Sequence, residues 1–148
     1  MDIKSKRQSA TDRHWLTLVA AALLSAGVAF PAWSEDGKAL LNGDQEIPPV
    51  TTSASGTGTF QVAADRSVRG SVSINGMTPT AVHIHEAPAG KAGPIIIPLV
   101  QTANGVWSIP EGAKLTDAQY ESYRAGALYY NVHSAAYKGG EIRGQIKP

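Results

Sequence analysis

The stretch Thr57-Gly58-Thr59-Phe60-Gln61-Val62-Ala63-Ala64-Asp65-Arg66-Ser67-Val68-Arg69-Gly70-Ser71-Val72-Ser73-Ile74 decides the fold class. Apolar and polar residues alternate on both sides of the turn signal Ala64-Asp65-Arg66-Ser67, and a period of two sends successive side chains to opposite faces of a strand. The segment therefore reads as a hairpin with one buried face. Similar short runs continue in both directions. Lys38 to Asn42 precedes it; Thr80 to His85, Ile95 to Val100, Val106 to Ile109, Ala127 to His133 and Glu141 to Ile146 follow, with Gly, Pro, Asn or Asp between them. About eight short strands at this spacing predict an all-β, Greek-key-like β-sandwich. One short helix interrupts the pattern. Thr116 is its N-cap, Gln119 the capping-box partner, Tyr120 and Tyr123 share a face, and Gly126 stops it. It is expected to close one end of the sandwich. Gly43 to Ser55 carries Pro48-Pro49 and reads as an ordered loop or extended arm.

The chain has 148 residues, room for one domain. Its opening reads as a secretory signal: Lys4, Lys6, Arg7 and Arg13, an apolar stretch from Trp15 to Phe30, then Ala32 and Ser34 before Glu35. Thr17, Ser25, Gly27 and Pro31 interrupt the stretch and make it a poor spanning helix. The expected division is a signal peptide over 1–34 and a domain over 35–148, periplasmic or secreted, with no membrane attachment after cleavage. Of 13 Lys and Arg, four lie in that leader, as do Asp2 and Asp12 of the 12 acidic residues. The domain is left with nine basic and ten acidic side chains, near neutral and without a basic stripe for nucleic acid. Cysteine is absent, so stability rests on the core and on any bound ion.

Three of the four histidines lie in two of the expected strands. In Ala81-Val82-His83-Ile84-His85 both rings project from one face while Val82 and Ile84 project from the other. In Leu128-Tyr129-Tyr130-Asn131-Val132-His133 the same alternation sets Asn131 and His133 against Leu128, Tyr130 and Val132. If the strands are neighbours, His83, His85 and His133 meet outside the core. Glu141, Arg143 and Gln145 oppose Ile142 and Ile146 in the last strand and extend this polar patch. Three neutral imidazoles suit copper, zinc or nickel; a nitrogen site favours Cu(II), and the missing fourth ligand disfavours a closed zinc site. Glu141 or Glu46 is a candidate acceptor for an imidazole N–H. The competing reading is that the histidines pair across a sheet or bond loop backbone. Strand alternation argues against a Ser134–His133 nucleophile pair, and Gly90-Lys91-Ala92-Gly93-Pro94 reads as a turn rather than a phosphate loop.

The chain resembles the CHRD domain, the module repeated in chordin and found singly in many exported bacterial proteins. The match is carried by Leu41-Asn42-Gly43-Asp44-Gln45-Glu46-Ile47-Pro48-Pro49-Val50, by Thr80 to His85, by Gly93-Pro94-Ile95-Ile96, and by Leu128 to His133 leading to Gly139-Gly140-Glu141-Ile142-Arg143-Gly144. The resemblance implies an immunoglobulin-like or superoxide-dismutase-like sandwich and places both histidine motifs at signature positions. Two departures adjoin them: Glu86 stands where Gly is usual, and Ala136-Tyr137-Lys138 replaces an Asn-Pro approach to Gly-Gly-Glu. The H-x-H strand is also similar to the copper strand of copper,zinc superoxide dismutases, although this chain lacks a bridging histidine, zinc-loop histidines and cysteines. Three readings result. The first is a periplasmic copper protein for storage, delivery or tolerance, using His83, His85 and His133 with Glu46, Asn131, Glu141 and Arg143 around them. The second is a copper-only dismutase in which Arg143 steers an anion. The third is a metal-free interaction domain. A symmetric dimer sharing metal ions through the outward histidine face is a further expectation.

Overall fold

The computed structural model describes residues 33–148, with the side chains of Ser34 and Glu35 excepted. The predicted signal segment up to residue 32 lies outside the described residues. The elements are β1 (Trp33–Leu41), β2 (Ser55–Ala63), β3 (Val68–Asn75), β4 (Pro79–Glu86), β5 (Ile95–Pro98), β6 (Val100–Ala103), β7 (Val106–Ser108), α1 (Asp117–Arg124), β8 (Leu128–Ser134) and β9 (Ile142–Gln145). They form two antiparallel sheets, ordered β1-β2-β3-β7-β6 and β5-β4-β8-β9. The expected all-β sandwich with a single short helix is what the described residues adopt.

Among the described residues nine strands appear where about eight were expected for such a sandwich. The predicted strand Ile95 to Val100 is two strands in different sheets. Leu99 is the buried pivot, donating its N–H to the Val82 carbonyl at 2.9 Å before the chain crosses over. Beyond it, Asn104-Gly105 turns β6 into β7, with Gly105 at φ 69°, a left-handed conformation natural to glycine. The chain also closes one flank. Lys38 and Lys147 exchange backbone hydrogen bonds at 3.0 and 2.9 Å, and Asn42 and Arg143 do so at 3.1 and 3.0 Å, which ties β1 to the β9 side of the other sheet.

The core follows the alternation read from the sequence. Phe60, Val62, Val72, Val82, Ile84, Leu128, Tyr130, Val132, Ile142 and Ile146 are buried between the sheets. Tyr130 spans the gap and donates its hydroxyl to the Thr59 carbonyl at 2.7 Å, so a large ring is buried without an orphaned polar atom. Gly58 makes room for it: a Cβ there would lie 2.8 Å from the Tyr130 ring. Helix α1 has the capping box between Thr116 and Gln119. Its Tyr123 is fully buried with its ring 5.2 Å from Phe60, while Arg66 stacks on Tyr120 and pairs with Asp117 at 3.1 Å. The helix thus caps the β1–β2 end. Among the described residues no helix is long and apolar enough to cross a membrane.

Candidate metal centre

Strands β4 and β8 are neighbours, and their register places Ala81 opposite His133, His83 opposite Asn131 and His85 opposite Tyr129. A strand pair in this register brings outward side chains within about 5 Å of one another directly and about 7–8 Å diagonally. His83, His85 and His133 therefore converge on one face. Each ring offers one nitrogen, and these three atoms all lie within 4.8 Å of one another.

The hydrogen bonds fix which nitrogens are available. His85 Nδ1 meets the Gly93 carbonyl at 2.9 Å, and His133 Nδ1 meets the Lys138 carbonyl at 2.9 Å. A carbonyl only accepts, so both Nδ1 atoms carry the proton and both Nε2 atoms present lone pairs. His133 Nε2 then receives the His83 Nδ1 proton across 3.0 Å. His85 Nε2 is buried and has no hydrogen-bond partner among the described residues. Two nitrogens bound to one ion at about 2.0–2.1 Å stand roughly 2.9–3.4 Å apart at right-angle to tetrahedral geometry. The His83–His133 separation fits that range; the widest of the three, up to 4.8 Å, exceeds it, so a cation replacing the shared proton would draw the rings together as it took up the His85 nitrogen.

Burial, followed by the neighbouring imidazoles of His133 and His85, holds His83 below the usual histidine pKa. Burial does the same at His85, partly opposed by the Gly93 carbonyl and reinforced by His133 and Arg143. Neutral imidazole is the form that binds metal. Both rings are thus held in the neutral form, with lone pairs available for ligation.

The polar residues named from the sequence lie around the histidines in different roles. Asn131 and Glu46 are buried together, and the Asn131 amide donates to the Glu46 carboxylate. Burial pushes the Glu46 pKa up, opposed by the Asn131 bond, the charge of Arg143 and the Ile47 amide. Glu141 accepts from Thr52 Oγ1 at 2.7 Å and Ser134 Oγ at 2.5 Å, which pins the 43–55 segment to β8. The carboxylates therefore clamp a covering loop, while the acceptors facing His85 and His133 are main-chain carbonyls. Arg143 is 3 % exposed. It donates to the carbonyls of Lys91 at 2.8 Å and Pro88 at 3.3 Å and holds the 87–94 loop over the sheet.

Two contributors escaped the sequence reading. Tyr129 stacks on His85 with centroids 4.9 Å apart and planes 13° apart, and its hydroxyl accepts the Gly93 N–H at 3.1 Å. Gly93 itself admits no side chain, since a Cβ would fall 1.9 Å from the Glu86 carbonyl oxygen. Strand parity was the available signal for Tyr129, which is two residues from Asn131. The departure at Glu86 is absorbed locally by a bond from Ser122 Oγ at 2.6 Å, and Lys138 supplies its carbonyl regardless of side chain. No curated protein and no solved structure gives a significant match to the chain. The CHRD domain family matches residues 38–146, nearly everything described above, and the chain belongs to that family.

Proposed function

We propose that this is an exported copper-binding domain, with His83, His85 and His133 as the ligands, serving copper storage, delivery or tolerance. The observation that carries the reading is the convergence of three imidazole nitrogens within 4.8 Å, with the His85 and His133 rings oriented by carbonyls and the His85 Nε2 buried without a partner among the described residues. An all-nitrogen set with no cysteine favours copper over the other divalent metals, and three ligands fall short of the four of a structural zinc site. The leader read in residues 1–34 supports export.

A carrier is favoured over the dismutase alternative. Turnover on an anion asked Arg143 to present its charge, yet the guanidinium is buried, committed to three oxygen acceptors and stacked on Tyr129. The test is a copper titration of the exported protein beside a variant with all three histidines changed to alanine, read by calorimetry and paramagnetic resonance. One tightly bound Cu(II) per chain with nitrogen hyperfine structure, lost in the variant, is the expected result. Equal and weak binding by both proteins would remove the metal reading and leave the interaction domain.

A further inference from the structure

Beside the three histidines lies a stack that metal ligation alone does not call for. The guanidinium carbon of Arg143 sits 3.5 Å over the centroid of Tyr129, and Tyr129 lies nearly parallel to His85 at 4.9 Å. Both Tyr129 and Arg143 are buried, at 4 % and 3 % exposure. A cation on an aromatic face is an ordinary contact, but here the ring on its other side belongs to the histidine whose Nε2 is orphaned. The stack is also rigid. Gly93 binds both rings at once, through its carbonyl to His85 and its N–H to Tyr129, and Arg143 holds the same loop through Lys91 and Pro88.

We infer that Arg143, held by Tyr129 against the His85 edge of the site, is a positioning residue that biases bound copper toward Cu(I), making the domain a carrier of the reduced ion. The inference rests on the three-histidine copper reading above. Its physical content is one buried positive charge stacked on the ring that in turn stacks on the ligand His85, where the effective dielectric is nearer 20 than 80. Such a charge opposes the second positive charge of Cu(II) more than the first of Cu(I). The Glu46 carboxylate is coupled to Arg143 and offsets part of the field, which sets the expected size at about tenfold in the ratio of Cu(I) to Cu(II) affinities.

The experiment compares the Cu(II)/Cu(I) potential and the two separate affinities in the wild-type protein, Arg143→Met and Arg143→Lys. In R143M the Cu(II) affinity rises relative to Cu(I) by about tenfold, a fall of about 59 mV for one electron. R143K, which keeps the charge, stays closer to wild type. A merely structural arginine would weaken both oxidation states together and leave the potential where it was. If R143M does not fold, Arg143→Gln, which removes the charge but keeps an amide donor for the Lys91 and Pro88 carbonyls, takes its place, and the potential should fall in the same direction. An unchanged potential in a folded, copper-loaded variant overturns the inference. Absence of copper binding in the wild type overturns the earlier reading instead, so the two failures are distinguishable.

Discussion

The outer faces of the two sheets obey the same alternation and end in different environments. On the β1-β2-β3-β7-β6 sheet, outward residues such as Thr57 and Ser73 stand opposite one another in register and are exposed. On the β5-β4-β8-β9 sheet, outward Asn131 and Arg143 also stand opposite one another, yet both are buried beneath the 43–55 and 87–94 loops. A polar residue in an alternating strand is thus expelled from the hydrophobic core without necessarily reaching water. The covered face is a second interior, built from hydrogen bonds, and the histidines lie at its margin.

The largest effect should come from the closest backbone approach in that second interior. Gly93→Ala would drive a Cβ into the Glu86 carbonyl at 1.9 Å, where neither partner is a flexible side chain. We expect a loss of about 3 kcal/mol in urea unfolding, together with lost copper binding, because His85 and Tyr129 both take their orientation from this residue. Glu141→Ala comes next. It strands the Thr52 and Ser134 hydroxyls under the covering loop and should cost about 2 kcal/mol, with Glu141→Gln costing less because one acceptor oxygen survives. A Glu141→Ala protein as stable as wild type would mean that the loop is not pinned there.

Much of this was legible beforehand. Alternation assigned Val82, Ile84, Tyr130 and Val132 to the core and brought His83, His85 and His133 together, because strand parity is written in residue types. The acceptors of the imidazole protons were not legible. Gly93 and Lys138 act through carbonyls, which every residue possesses, so sequence reasoning turned to the carboxylates of Glu46 and Glu141. The switch at Leu99 was hidden for a related reason: an apolar run from Ile95 to Val100 looks the same whether it stays in one sheet or crosses between two. Burial of Arg143 depends on loops that lie more than 50 residues away in sequence, as its bonds to Lys91 and Pro88 show.

A titration separates the two faces by a smaller margin. The imidazoles of His83 and His85 resist protonation in the fold, whereas the unfolded chain takes those protons near the usual value of 6.5. As pH falls below that value toward the lowered folded pKa values, the unfolded state binds more protons and stability declines; above it the contribution is complete. The urea midpoint of metal-free protein should therefore drop between pH 7.5 and pH 5.5, and His83→Gln with His85→Gln should flatten the dependence. Copper affinity should fall over the same interval, since the ion competes with protons for the same nitrogens. A midpoint independent of pH in the wild type would place the imidazoles in water instead.

The smallest effect belongs to the bare face, and its smallness is the point of the comparison. Ser73 and Thr57 are opposed across β2 and β3 as Asn131 and Arg143 are across β8 and β9. Among the described residues nothing covers the first pair, so Ser73→Ala and Thr57→Val exchange an exposed hydroxyl for an apolar atom at the surface. Each should change stability by no more than about 0.5 kcal/mol. Asn131→Ala removes a group of the same kind from under a roof, leaving the buried Glu46 carboxylate without its amide donor, and should cost about 2 kcal/mol. Equal costs at Ser73 and Asn131 would erase the distinction between the faces. A four-fold contrast would locate it in the covering loops, whose removal of water turns an ordinary outward asparagine into a structural group and leaves an outward histidine with a nitrogen free for a metal ion.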